Sequence, residues 1–299
     1  MSSSSIARTP GRGFFSQNRE AAIGIAFVLP CMVLFLLFRF GPTVAGVLLS
    51  FYDYTIGSAA TFIGGQNFQR LFTDDLFWQA LRITVGYTAI AVPMSLAVSV
   101  GMALLTRRAF RGVRFFRSVF FLPVVTSFVL AGVVFSWLLS TRGPWAALMN
   151  LLGLPQDWLA HDLLVIPSIA MLAVWKGFGY GMLIILARLQ DVPRELEEAA
   201  VTDGANGWKR FWHIIFPQLR PALFFVTVLE TVGSFQVFDA IYVLTGGGPG
   251  RASYTLVFML YEKGFQSFEL GYAATIGVVL FVMTFALAVV QRFFLGRDR

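Results

Sequence analysis

The sequence predicts an all-α membrane protein with six transmembrane helices and one amphipathic segment on the cytoplasmic side. Three observations predict it. Of 299 residues, 57% are hydrophobic and only 13% charged, more apolar and less charged than an ordinary soluble domain. The apolar residues gather in six runs, each near the ~20 residues a helix needs to cross the hydrocarbon core. The basic residues fall mostly between alternate runs, as the positive-inside rule expects.

Residues 1–20 are polar, with Ser2–Ser5, Arg8, Arg12 and Arg19, and read as a cytoplasmic tail. An apolar run starts at Ala21 and gives a first span over 21–40, with a kink expected at Pro30. A signal peptide is the competing view, since basic residues precede the run. The run is longer than a typical signal core, and no clear small-x-small site closes it. Five further spans are expected at about 79–105, 115–139, 163–187, 220–244 and 272–294, so that residues 21–299 form one six-span domain. Pro93, Pro123 and Pro167 fall inside spans, where neighbouring helices can satisfy the freed carbonyls.

Arginine and lysine set the orientation. With the N terminus inside, the inner segments hold Arg107, Arg108, Arg111, Arg114 and Arg117, then Arg188, Arg194, Lys209, Arg210 and Arg220, and finally Arg292, Arg297 and Arg299. The outer segments hold Arg70, Arg142, Arg251 and Lys263. Both termini are therefore expected in the cytoplasm. The net charge of +7 is explained by this topology without nucleic acid. Cys31 is the single cysteine and sits in an apolar run, and His161 and His213 are far apart. That leaves no disulfide framework and no metal site. No G-x-x-x-x-G-K-[ST] occurs, so no phosphate-binding loop is recognisable. No catalytic residue and no bound cofactor are assigned.

The coupling segment is the loop 190–217. Glu198-Ala199-Ala200 is followed by three residues ending in Asp203, then Gly204, then nine residues to Ile214-Ile215-Phe216-Pro217. Ala199 and Ala200 would let a partner surface approach the backbone. Gly204 supplies the left-handed turn that stops a helix. Trp208, Phe211, Trp212 and Ile215 supply an apolar face, and Pro217 is expected to end a second short helix.

This spacing resembles the EAA loop of ABC importer permeases, with Phe216 in place of the usual Leu. Phe235-Gln236-Val237-Phe238-Asp239, continuing to Thr245-Gly246-Gly247-Gly248-Pro249, resembles the fifth-span signature of the carbohydrate-uptake, maltose-permease-like and glycerol-phosphate-permease-like members. Leu122-Pro123 and Trp175-Lys176-Gly177 fit the same pattern. The resemblance implies a type I importer permease in the bacterial inner membrane, and a chain that forms half of a translocation path. It implies Glu198, Ala199, Ala200, Asp203, Gly204, Ile214 and Pro217 as the seat of an ATPase. It implies as partners a second permease in a heterodimer, two ATPase subunits that use ATP and Mg, and an extracytoplasmic solute-binding protein.

Strongly polar side chains inside spans are functional candidates. Lys176 lies in the fourth span, and Glu230, Gln236 and Asp239 in the fifth. Lys176 is expected to pair with Glu230 or Asp239, to line the path, or both. A sugar needs a flat apolar face and several hydrogen-bonding groups, which Phe235, Gln236, Asp239 and Tyr242 offer within two turns. The maltose-permease resemblance implies Phe235, Gln236, Lys176, Gly177 and Tyr180 as pocket-lining positions. It also implies Val124 and Phe128, where this chain has apolar residues in place of polar ones. The substrate expected is a sugar, oligosaccharide or polyol, with a glycerol phosphodiester open through Lys176. An ion-gradient-driven secondary transporter is the alternative, but it should show inverted repeats, and no convincing repeat is present. A membrane-embedded enzyme would need a clustered acid, base or metal set, which the sequence lacks.

Overall fold

A computed structural model describes residues 14–107 and 110–295, and no side chain of residues 14–20, 194, 294 or 295. The expected tail over residues 1–13, Arg108 of the inner basic cluster, and Arg297 and Arg299 at the C terminus lie outside the described residues.

Helix α1 (Phe14–Phe35) runs into a π-helical turn (Leu36–Phe40) and then α2 (Gly41–Leu49). Residues 14–20, expected as tail, are thus already helical. The first span also reaches nine residues past its expected end, because Pro42 stands in the first turn of α2, where its missing N–H costs nothing. A hairpin follows, β1 (Tyr52–Asp53) with β2 (Thr61–Phe62), then α3 (Gln66–Thr73) and α4 (Asp75–Arg107). The strands pair antiparallel, Tyr52 with Phe62 and Asp53 with Thr61. Asn67 of α3 donates to the carbonyls of Ser50 and Tyr52 at 3.0 and 2.9 Å, pinning the hairpin to the end of α2.

The expected third span is two helices, α5 (Val113–Val125) and α6 (Phe128–Leu138), bent by 97°. Thr126 and Ser127 between them are extended. A short α7 (Pro144–Leu151) leads to α8 (Val165–Gln190). Then come α9 (Arg194–Thr202), α10 (Gly207–Arg210), a π-helical turn (Phe211–Ile215) and α11 (Phe216–Phe235). The chain closes with α12 (Asp239–Leu244), α13 (Leu256–Tyr261), a π-helical turn (Glu262–Gln266) and α14 (Leu270–Leu295). Among the described residues five helices are long and apolar enough to cross a membrane, and the bent α5–α6 pair, counted as one span, brings them to six.

Helix α8 is the axis of the bundle. Of its most apolar stretch 56% is buried, against 28% for α4 and none for the first span. Its most extensive contact is with α4, where Ser99 donates to the Phe178 carbonyl at 3.1 Å. Small residues permit such approach between membrane helices, and α8 carries Gly177, Gly179 and Gly181. Two apolar clusters lie along it. One, nearer the hairpin, includes Phe77, Ile169, Leu172 and Ile241. The other, nearer α9, includes Ala103, Met182, Ile185 and Leu219.

Candidate functional site: a polar cavity and a coupling segment

Mid-bundle, α4, α6, α8 and the α11–α12 junction enclose a cavity of about 230 Å³. Lys176, Glu230, Gln236 and Asp239 supply its polar lining, and Phe128 and Phe238 two aromatic walls. Gly177 lines it as well, so five of the eight expected path residues meet here. Helix α11 ends at Phe235, and α12 restarts at Asp239. On an unbroken helix Phe235, Asp239 and Tyr242 would share a face. The break separates them. Phe235 turns into the apolar core at 6% exposure, and Phe238 takes the place expected of it. Tyr242 is half exposed and stacks on Phe238, ring centroids 5.3 Å apart. Tyr180, half exposed one turn along α8, is not in the lining.

Lys176 has no ion pair with Glu230 or Asp239, contrary to the expected pairing. Its Nζ donates to the Val124 carbonyl at 2.9 Å and lies 5.6 Å from the centroid of the Phe128 ring. The 97° bend explains this choice. In a continuous helix the Val124 carbonyl would accept from the N–H of Phe128. With Thr126 and Ser127 extended it is left free, and an ammonium caps it. The apolar third-span positions therefore contribute after all, Val124 through its backbone and Phe128 as a wall. Tyr87 of α4, 2% exposed, also lines the cavity. Sequence reasoning missed it because a tyrosine in an apolar run reads as packing.

At one end of the bundle, α9 terminates at Asp203 and Gly204. Gly204 has φ +79°. Its N–H donates to the Val201 carbonyl at 3.0 Å, and the Ala205 N–H to that of Ala200 at 2.8 Å, the paired bonds of a Schellman stop. Glu198 and Ala199 are exposed, and Ala200 is buried. Asn206 then caps α10, its side chain accepting from the Lys209 N–H at 2.9 Å. Pro217 does not end a helix as expected. It lies in the first turn of α11, and α10 through α11 is one 29-residue helix, Gly207–Phe235. The π-helical turn makes this possible. The Phe216 N–H reaches back to the Phe211 carbonyl, and Pro217, with no N–H, asks for no acceptor. Ile214 is partly buried against this turn. Trp208 and Trp212 remain exposed at 70% and 42%, packed edge to face on one another with ring centroids 5.6 Å apart.

Residues 95–297 match the family described as binding-protein-dependent transport system inner membrane component. The chain belongs to that family. It is 36% identical over 283 residues to the probable ABC transporter permease protein YurN of Bacillus subtilis, covering 92% of this chain and 96% of that one. It is 32% identical to the arabinooligosaccharides transport system permease protein AraP of Halalkalibacterium halodurans, over 97% of this chain and 92% of that one. The sn-glycerol-3-phosphate transport system permease protein UgpA of Agrobacterium fabrum is also 32% identical, over 88% and 91%. Among solved structures, a bacterial alginate ABC transporter in complex with its alginate-bound periplasmic protein matches with a TM-score of 0.81. The identity there is 20%, over 94% of this chain and 96% of that one. These importer permeases are membrane subunits, and this chain is an ABC importer permease with their fold.

Proposed function

We propose that the chain forms half of the translocation path of an ATP-driven importer for a sugar or sugar-like solute. One observation carries the reading. The helix that begins at the exposed coupling segment is the same helix that ends at the cavity, since Gly207–Phe235 is continuous and Gln236 follows it directly. A partner pressing on Glu198, Ala199 and the α9–α10 turn would therefore act on the solute site through one rigid element. Hydroxyl-rich solutes suit the lining. Glu230, Gln236 and Asp239 offer acceptors and donors between the flat faces of Phe128 and Phe238. The names of relatives such as AraP support an oligosaccharide or a related polyol.

ATP and Mg belong to two separate ATPase subunits docked on the end that carries α9, and the excess of basic residues there supports a cytoplasmic side for it and for both termini. A second permease completes the path, and an extracytoplasmic binding protein delivers the solute. The test is reconstitution with the partner subunits and replacement of Gly204 by proline. Proline holds φ near ~−65° and cannot take the +79° found there. Uptake and solute-stimulated ATP hydrolysis should both collapse, with the protein still in the membrane. Normal uptake by Gly204→Pro would remove the segment from the mechanism.

A further inference from the structure

The cavity of about 230 Å³ is smaller than the roughly 300–1,000 Å³ of pockets that hold drug-sized ligands, so it has room for one sugar unit rather than a chain of them. The other units of an oligosaccharide need a further surface, and one adjoins the cavity. Phe238 and Tyr242, and likewise Tyr261 and Phe265, are four residues apart, a spacing that sets side chains one above the other on a helical face. Within each pair the rings are nearly parallel, at 28° and 24°, with centroids 5.3 and 5.8 Å apart. The pairs touch across α12 and α13, Tyr261 lying 5.0 Å from Phe238 and 5.5 Å from Tyr242. The four rings make one continuous ladder.

Both ends of the ladder are fixed by hydrogen bonds. Thr255, at the start of α13, donates to the Val237 carbonyl at 3.4 Å, so α13 begins level with the cavity. Past the last ring, the Phe268 carbonyl accepts from the Ile56 N–H of the hairpin at 3.2 Å. The ladder therefore climbs from Phe238, a wall of the cavity, to Phe265 at the hairpin end, away from α9. Tyr242 and Phe265 are 51% and 66% exposed. Asp239 is exposed as well, three residues before Tyr242 and so on the same side of α12. A carboxylate is costly against lipid tails, so this side borders water. Open rings beside a carboxylate and phenol hydroxyls suit a sugar chain. Its C–H edges lie on the electron-rich ring faces, and its hydroxyls find polar partners.

We propose that Phe238, Tyr242, Tyr261 and Phe265 form a track along which a linear oligosaccharide is passed, unit by unit, from the hairpin end into the cavity. The proposal rests on the importer reading and narrows its solute to chains of sugar units. A free polyol or a glycerol phosphodiester has no repeated C–H face to move from ring to ring. The test reconstitutes the transporter with its partner subunits in vesicles. They are offered a mixed hydrolysate of starch, xylan and arabinan, monomers through hexamers, with glycerol and glycerophosphocholine added. Mass spectrometry of the lumen gives the ratio of tetramer to dimer taken up, since the tetramer must lie on the upper rings. With a C–H face on a ring valued like an aromatic pair, each ring is worth about two- to tenfold. Phe265→Ala should lower the ratio by that factor, and adding Tyr261→Leu should lower it further. Phe265→Tyr keeps a ring and should keep the ratio. So should Phe281→Ala, which removes a phenylalanine that is 65% exposed but stacks on Phe285 of α14.

An unchanged ratio in Phe265→Ala with Tyr261→Leu would overturn the track. So would an equal fall in Phe281→Ala, or wild-type vesicles that carry monomers, glycerol or glycerophosphocholine but no oligomer. Loss of the second permease from purified Phe265→Ala would assign the rings to the interface between the two permeases instead. Uptake of any of these solutes by the wild type upholds the importer reading, so the track can fail alone.

Discussion

Replacing Gly179 by alanine tests the contact that holds the bent third span against α8. A Cβ built on Gly179 would lie 2.5 Å from the Phe120 carbonyl oxygen and 3.1 Å from both Phe121 Cα and Val124 Cγ2. Carbon–oxygen contacts settle at roughly 3.3–3.6 Å, so α5 must withdraw by about 0.8 Å. Its backbone has no flexible side chain to yield instead. Overpacking of this kind costs about 1–3 kcal/mol. Gly177→Ala is the control, because its Cβ would meet only Glu230 Oε1 at an ordinary 3.8 Å. Both variants gain the same ~1 kcal/mol of helix propensity, so their difference isolates the contact. Unfolding of the two purified variants in a sodium dodecyl sulfate titration should separate them by at least ~1 kcal/mol, with Gly179→Ala the weaker. Equal stability would refute the close α5–α8 approach.

Three further outcomes are expected. Lys176→Met should destabilise by about 1.5–3 kcal/mol, and adding Glu230→Gln should not restore it, because the ammonium is held by a carbonyl; recovery of stability in the double variant would show an ion pair instead. Either Arg107→Gln or Glu197→Gln alone should lower detergent stability, and the exchange Arg107→Glu with Glu197→Arg should recover it, with a coupling energy of about 0.5–3 kcal/mol in a double-mutant cycle. At the end of the bundle that carries the hairpin, burial pushes the Glu269 carboxyl up, but Arg70 Nη2 at 2.7 Å and Lys263 Nζ at 3.4 Å outweigh burial and hold it below the usual carboxylate range. A lowered folded-state pKa gives stability that is complete above the unfolded value of about 4.3 and lost as pH falls through the folded one. Melting of wild type against Glu269→Gln should differ by a constant amount from pH 7 to about 5 and converge only below ~4.3, and convergence near neutrality would rule out the network.

The sequence carried the helical class and the stop at Gly204 in full, because both rest on local signals. Apolar length identifies a span without knowledge of its neighbours, and a glycine followed by Asn206 marks one helix end and the next start. The cavity was half legible. Lys176, Glu230, Gln236 and Asp239 stand out as polar residues in apolar surroundings, and they do converge. Phe235 and Tyr242 share a face with Asp239 only on an unbroken helix, and Tyr180 enters only through the family resemblance. The breaks at 126–127 and 236–238 carry no glycine, and Pro123 announces the first only indirectly. Tertiary packing decides them: Thr255 donates to the Val237 carbonyl at 3.4 Å, and Lys176 caps Val124. Neither partner is near in sequence.

The unbroken path from Gly207 to Phe235 has a mechanical consequence. Twenty-nine residues span about 43 Å at 1.5 Å per residue. A lever of that length pivoting at its centre moves each tip by about 2 Å for a tilt of only ~5°. At one tip stand Trp208 and Trp212, and at the other the junction that aims Gln236 and Phe238. On the proposed coupling, a small rocking of a partner docked on α9 would reach the cavity as a displacement comparable to the difference between a hydrogen bond made and one broken.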